Sequence, residues 1–150
     1  MGFSIKDAGT LRSIRTLWIK QAGVMRRIRT LKVMNEGTLR TVAVFSDPLA
    51  VSAPNASSTG GSSTQVTNSV TATATGGFGP YSYQWTLVSS EGSTPSTAYF
   101  PTMASTSFRK TNLPAFQDVT DVWRVTVTDS LGDTATTTID VSFLYETGPL

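Results

Sequence analysis

The 150-residue sequence contains neither cysteine nor histidine. Without cysteine it can form no disulfide and no thiolate metal site, and nothing calls for an oxidising compartment. Without histidine it lacks the usual general base, the commonest metal ligand and the side chain that titrates near neutral pH. No stretch approaches the roughly 18 apolar residues that a spanning helix needs. No apolar h-region with a small-residue cleavage site follows the N-terminus, so the mature chain is expected to start near Met1 and to make no membrane insertion. Gly2 does not read as a myristoylation site, because Lys6 stands where Ser or Thr is wanted.

What is present is a short repeat. Gly9, Gly23 and Gly37 each open a unit of about 14 residues: GTLRSIRTLWIKQA, GVMRRIRTLKVMNE and the start of a third, GTLRTVAVF. Such duplication points to one small supersecondary unit copied along the chain, each copy leaning on its neighbour. The repeat also divides the charge. Residues 1–45 hold nine Lys or Arg against two acids, whereas the remaining 105 hold three against eight, so the net charge of +2 conceals a cationic segment followed by an anionic one.

Two readings fit the repeat. Leu11, Ile14, Leu17 or Trp18, Ala22, Met25, Ile28 and Leu31 recur at the three- and four-residue spacings of an amphipathic helix. Against a helix stand the glycine in every unit, the frequent Thr and β-branched residues, and the lack of a convincing cap before Leu11 or Met25. The β reading places turns at Gln21-Ala22-Gly23 and Asn35-Glu36-Gly37. Its strands run over Thr16–Lys20, Met25–Val33 and Leu39–Phe45. We prefer the β reading.

Ser46-Asp47-Pro48 ends the pattern, because Pro48 disfavours helix at Asp47 and offers no donor to a ladder. Residues 1–46 are thus read as a basic β-repeat module, 47–145 as a sandwich domain and 146–150 as a tail. In the second part Ser and Thr are abundant, which suits the solvent faces of strands. Val70, Ala72 and Ala74 alternate with Thr71, Thr73 and Thr75. Tyr83, Trp85 and Leu87 alternate with polar neighbours and Val88. Trp123, Val125 and Val127 do the same, as do Ala135, Thr137, Ile139, Val141 and Phe143. Weaker strands fit Thr97–Phe100 and Thr106–Lys110.

Turn-forming clusters lie between these runs: Gly76 to Pro80, Ser89 to Ser96 and Asp129 to Asp133. The last is a hairpin connection, so strands ending at Thr128 and starting at Thr134 are expected to pair antiparallel. About seven strands, apolar on one face and hydroxyl-rich on the other, describe a two-sheet sandwich with Trp85 packed against Trp123, Val127, Ile139 and Val141.

Pro80-Tyr81-Ser82-Tyr83-Gln84-Trp85, followed by Trp123 to Asp133 with its Val-x-Val-x-Asp-x-x-Gly turn, resembles the immunoglobulin-like and polycystic-kidney-disease-type modules over residues 49–143. The resemblance implies an immunoglobulin-like β-sandwich and says little of function. The N-terminal units resemble the Gly-x-x-Arg-x-Val and Val-x-Val-x-x-Gly hairpin repeats of bacteriophage tail and virion structural proteins. Phages often append an immunoglobulin-like domain to a virion protein. Together the two resemblances imply an all-β virion component, localised in the particle: a small hairpin-repeat module followed by an immunoglobulin-like sandwich.

No catalytic constellation is evident. Asp118 and Asp121 sit beside a strand start and read as loop or edge residues. Asp129 and Asp133 flank a glycine turn, but two carboxylates are too few for a calcium site, and Asp at turns is explained by bonds to its own backbone. Gly76-Gly77-Phe78-Gly79 lacks the Lys-Ser or Lys-Thr of a phosphate cradle. The interaction signal is the basic segment, with Arg12, Arg15, Arg26, Arg27, Arg29, Lys32 and Arg40 as binding residues and Trp18 and Met25 as apolar anchors. Six arginines against three lysines suit bidentate contacts with carboxylates or phosphates.

The segment fits docking onto acidic neighbours in an assembly, nucleic-acid binding or a solvated polar face. The expected chain is therefore a non-enzyme with no cofactor, partnered by other virion proteins and by copies of itself. The Thr-rich strands and the loops at Phe78 and Ser89 to Ser96 would touch host-surface glycans weakly. A nucleic-acid-binding protein and a secreted adhesion or carbohydrate-binding module are the alternatives.

Overall fold

The computed structural model describes residues 17–21, 24–28, 30–35 and 38–44 through their strands, and 46–146 in full. Backbone contacts divide the chain into two compact units, Met1–Asp47 and Pro48–Leu150. All regular structure among the described residues is β, which resolves the repeat in favour of strands.

In the first unit, β1 (Leu17–Gln21) pairs antiparallel with β2 (Val24–Ile28), and β3 (Thr30–Asn35) with β4 (Thr38–Val44). The single strand expected over Met25–Val33 is two strands with different partners. The second unit begins with β5 (Ala50–Ser52), β6 (Ala56–Gly60), β7 (Gln65–Val66), β8 (Val70–Thr71) and β9 (Thr73–Thr75). There follow β10 (Ser82–Ser90), β11 (Thr97–Ala98), β12 (Ser105–Thr106), β13 (Phe108–Lys110), β14 (Asp118–Thr128) and β15 (Thr134–Tyr145).

One layer of this immunoglobulin-like sandwich is a four-stranded sheet in the order β10-β14-β15-β6. Its first three strands are antiparallel, and β6 runs parallel to β15. Thr128 faces Thr134 across the hairpin, the pairing that the Asp129–Asp133 turn predicts. The remaining strands form shorter sheets, β11-β13-β7, β12-β8 and β5-β9.

Alternation along the long strands builds the core. Trp123, Val125 and Val127 of β14 and Ile139, Val141 and Phe143 of β15 are buried, while Arg124, Thr136 and Thr138 are exposed. Trp85 joins them, as the sequence predicts, but its indole does not meet Trp123 by a ring contact. Phe108 of β13 stands between the two, with ring centroids 5.7 Å from Trp85 and 4.9 Å from Trp123. Aromatic pairs in such edge or tilted arrangements add about 0.5–1.5 kcal/mol beyond the area they bury.

Two expected strands are broken. The run from Val70 to Thr75 keeps its alternation, with Val70 and Ala72 buried, yet β8 pairs with β12 and β9 with β5. Ala72 at the break donates its amide to Ala104 O at 2.9 Å. In β10 the register shifts between Leu87 and Ser89. The extra residue, Val88, is exposed as its place in the alternation implies, but Leu87 beside it is exposed despite its place among the inward residues.

Phe108 is fully buried and fills the space between two indoles, so its removal leaves a cavity that neither rigid ring can close. Phe108→Ala is expected to lower unfolding free energy by about 3–5 kcal/mol, read from the denaturant midpoint at unchanged slope.

Candidate functional site

The basic residues singled out in the sequence fall in the first unit. Trp18, Met25, Arg26, Arg27, Lys32 and Arg40 lie on strands whose backbone pairing is defined. Arg12, Arg15 and Arg29 lie outside the described residues. Trp18 pairs with Arg27, Ile19 with Arg26 and Lys20 with Met25 in the first hairpin. Lys32 pairs with Thr41, Val33 with Arg40 and Met34 with Leu39 in the second.

Moving a first-hairpin pair forward by one 14-residue unit on both strands gives a second-hairpin pair for four of the five pairs, the exception being Leu17 with Ile28, since the register shifts between Leu31 and Lys32. Lys20 with Met25 becomes Met34 with Leu39, and Ile19 with Arg26 becomes Val33 with Arg40. The sequence repeat is therefore a repeat of hydrogen-bond register. The middle unit supplies the second strand of one hairpin and, beyond Arg29, the first strand of the next. The structure brings Trp18, Arg26, Arg27 and Met25 onto one hairpin, and Lys32 and Arg40 onto the other.

Asp121, in the second unit, is not the loop or edge residue its neighbourhood suggests. It lies inside β14, facing inward like Trp123, and is wholly buried. Its Oδ1 accepts from Lys110 Nζ at 2.6 Å, Ser90 Oγ at 2.8 Å and the Glu91 amide at 3.1 Å. Its Oδ2 accepts from the Ser96 amide at 2.8 Å.

Lys110 Nζ also donates to Glu91 O at 2.8 Å and Ser90 Oγ at 3.1 Å, so all three ammonium protons have acceptors. Trp123 Nε1 donates to Ser96 Oγ at 2.9 Å. Burial pushes the Asp121 carboxyl up, but the bonds from Lys110, Ser96 and Ser90 outweigh it and hold the pKa below its ordinary value of 3.8. These partners make the pair an interior tie between β13, β14 and the loop from Ser90 to Ser96. Two serines of a loop expected to meet glycans, Ser90 and Ser96, are engaged inward. Asp118, at the exposed start of β14, takes no part.

Asp129 behaves as a turn aspartate. Its Oδ2 accepts from the Phe78 amide at 2.9 Å, and its Oδ1 from the amides of Leu131 at 2.9 Å and Asp133 at 3.0 Å. The bond from Phe78 first, and those from the turn amides after it, hold its pKa below 3.8 against the opposing effect of burial. The loop carrying Phe78 is thus clamped to the β14–β15 turn, where Ser130 also donates to Phe78 O. Gly77, at φ +60°, leaves room for this clamp, since a Cβ there would come 2.8 Å from Asp129 Oδ2.

An apolar surface that the sequence analysis passed over lies between β11 and β12. Tyr99, Phe100 and Met103 are at least half exposed. Phe100, Met103, Ala104 and Ser105 line an open depression. Trp85 holds this loop in place, its amide donating to Pro101 O at 2.7 Å and its Nε1 to Met103 O at 3.0 Å. The available signal was the absence of any charge from Gly92 to Phe108 in an otherwise acidic domain. Among the described residues no group of three acidic side chains is placed to hold a metal ion, and no helix is long and apolar enough to cross a membrane.

Removing Asp121 leaves a buried ammonium with two neutral acceptors and no counter-charge, whereas removing Lys110 leaves the carboxylate three other donors. Asp121→Ala is expected to cost about 3–5 kcal/mol of stability and Lys110→Met distinctly less, measured by denaturant unfolding. The two depressed aspartate pKa values fix the sign of the pH dependence. Their contribution is complete above the unfolded value of 3.8 and is lost as pH falls through the lower folded values. The unfolding midpoint is therefore expected to drop below that pH, and less steeply in Asp121→Asn than in the unaltered chain.

No family model matches the sequence, and no curated protein is significantly similar to it. Among solved structures, the second unit is similar in backbone shape to the PKD domain (329-428) from human KIAA0319, determined in solution. The two share 17% identity with a TM-score of 0.47, over 69% of this chain and 88% of that chain.

Proposed function

We propose that the chain is a non-catalytic structural protein of a tailed-phage particle. Its basic hairpin module docks onto acidic surfaces of neighbouring subunits, and the sandwich is displayed outward. The observation that carries this reading is the coincidence of two boundaries. The division between Asp47 and Pro48 separates a unit with nine basic and three acidic residues from one with three basic and seven acidic.

A charge partition that follows a structural division suits an anchor and an inert outer lobe. The arginines favour bidentate, charge-assisted contacts with carboxylates, and apolar residues between them allow a mixed interface of the kind found in permanent assemblies. Interior polar groups of the sandwich support the same view, since the carboxylates of Asp121 and Asp129 are taken up in holding the fold together. Weak contact with host-surface glycans is a secondary role for the outward lobe. The uncharged aromatic loop at Tyr99 and Phe100 is better suited to it than the inward-tied Ser89 to Ser96 loop.

Mass spectrometry of purified particles is expected to find the chain in fixed ratio to other virion proteins. Recovery only as free protein in the culture supernatant would instead favour a secreted adhesion module. Titration of the full chain with duplex DNA over several salt concentrations separates the nucleic-acid alternative. Docking on protein predicts weak DNA binding that fades steeply as salt rises, because only counterion release drives it. Submicromolar affinity persisting at physiological salt would sink the docking reading. Arg26→Ala combined with Arg27→Ala is expected to lower occupancy on the particle at least several-fold, with the sandwich still folded.

A further inference from the structure

Tyr99, Phe100 and Met103 lie on the connection from β11 to β12, and each is at least half exposed. The backbone beneath them is tied down at every turn. The Met103 amide donates to Phe100 O at 3.2 Å, and the Phe100 amide to Thr106 Oγ1 at 3.0 Å. The Tyr99 amide donates to Ser107 O and the Ala72 amide to Ala104 O, both at 2.9 Å. Buried Trp85 holds Pro101 O and Met103 O from below. With its polar backbone bonded inward, the loop carries three large apolar side chains outward on a fixed frame. A surface set before binding loses little conformational freedom on binding.

The size and charge of this surface limit what can cover it. The exposed halves of three large side chains amount to roughly 300 Å² of apolar area, well under the ~800 Å² per partner of a stable protein interface. A second copy or a protein partner finds too little here, whereas a small ligand is matched. No charged residue lies between Gly92 and Phe108, so the site offers no counter-charge to an ionic ligand. Seven acids against three basic residues from Pro48 onward repel an anionic one.

Hydroxyls stand at the rim of the apolar floor that Phe100, Met103 and Ala104 form. Ser105 lines the same depression, its Oγ 2.7 Å from Thr71 Oγ1, and both residues are exposed. An apolar floor with a few neutral polar groups beside it suits a ligand that has an apolar face and polar edges. A pyranose is built that way. Its axial C–H groups meet the negative face of an aromatic ring, while its hydroxyls project around the edge.

We propose that Tyr99, Phe100 and Met103 form a stacking site for an uncharged saccharide, with the Ser105 and Thr71 hydroxyls at its rim. This rests on the outward display of the sandwich in the proposed function and gives the secondary role of that lobe a site and a ligand class. The Tyr99 and Phe100 rings have centroids 6.4 Å apart and planes at 41°, so neither covers the face of the other.

The test titrates the full chain with cellohexaose, maltohexaose and chitohexaose, three uncharged pyranose chains, and follows the Met103 methyl and the Tyr99 and Phe100 ring signals by NMR. At least one of them is expected to shift these signals saturably at millimolar concentration. Tyr99→Ala combined with Phe100→Ala is expected to weaken that binding at least several-fold. Leu131→Ala, which removes a comparably exposed apolar side chain elsewhere, should leave it unchanged. Both variants should keep the unfolding midpoint of the unaltered chain, which separates lost binding from lost fold.

Absence of a saturable shift with all three saccharides would overturn the inference, as would undiminished binding in the double variant or preferential binding of the polyanion alginate. A concentration-dependent dimer that the double variant abolishes, with no saccharide bound, would assign the surface to a second copy and overturn it too. Saccharide binding by a chain absent from purified particles would overturn the virion reading alone. A chain fixed in particles that binds none of the three would overturn only this inference.

Discussion

The sandwich depends on a charge it has buried. Asp121 sits where the alternation of β14 demands an inward side chain, and at that position a carboxylate is tolerable only because every part of its surroundings donates to it. Lys110 arrives from the opposite layer, the amides of Glu91 and Ser96 from the loop beyond β10, and Ser90 from that strand's end. The network does not stop at the carboxylate. The Ser96 hydroxyl it positions accepts from the Trp123 indole, so the polar tie and the aromatic core share a member. Buried ion pairs of this kind contribute little net stability over an apolar filling, but they penalise any packing that separates the partners. Their effect is to select one arrangement of strands and loop.

The same economy of polar groups appears at the opposite end of β14. Asp129 organises the turn to β15 and reaches across to the Phe78 amide, joining two connections far apart in sequence. Gly77 matters here because its positive φ and missing Cβ let the loop approach the carboxylate. Asp121 and Asp129 thus tie the two ends of the longest central strand to the loops beside it. The outward surface is then mostly hydroxyl-bearing strand, interrupted by the uncharged loop that Trp85 holds from beneath.

The first unit follows a different logic. No large core is encoded in its 14-residue units, and their regularity is one of register: the same offset between strands recurs at the same step. Residues suited to strand pairing, basic side chains and a glycine in each unit are what the repeat carries forward. The contrast between a self-satisfied sandwich and a cationic repeat is the physical content of the proposed division between display and anchorage.

Much of this was legible from residue order. Period-two alternation located β14 and β15 and their inward sets, the Asp129 to Asp133 cluster located the hairpin between them, and the glycine spacing located the hairpin returns. Those features follow from local rules, because side chains on a strand must alternate and a tight return needs special residues.

What only the tertiary structure decided were the relations between distant segments. Alternation puts Asp121 on the inward face of β14, but nothing local supplies the partner that makes a carboxylate tolerable there until Lys110 is seen to face it. Phe108 becomes the link between two indoles only when the layers meet. The partner switch at Ala72 and the bulge at Val88 are choices among competing ladders, set by which strands lie alongside. Alternation specifies a face for each residue but not the neighbour across from it, and the energy of pairing and packing resides in that neighbour.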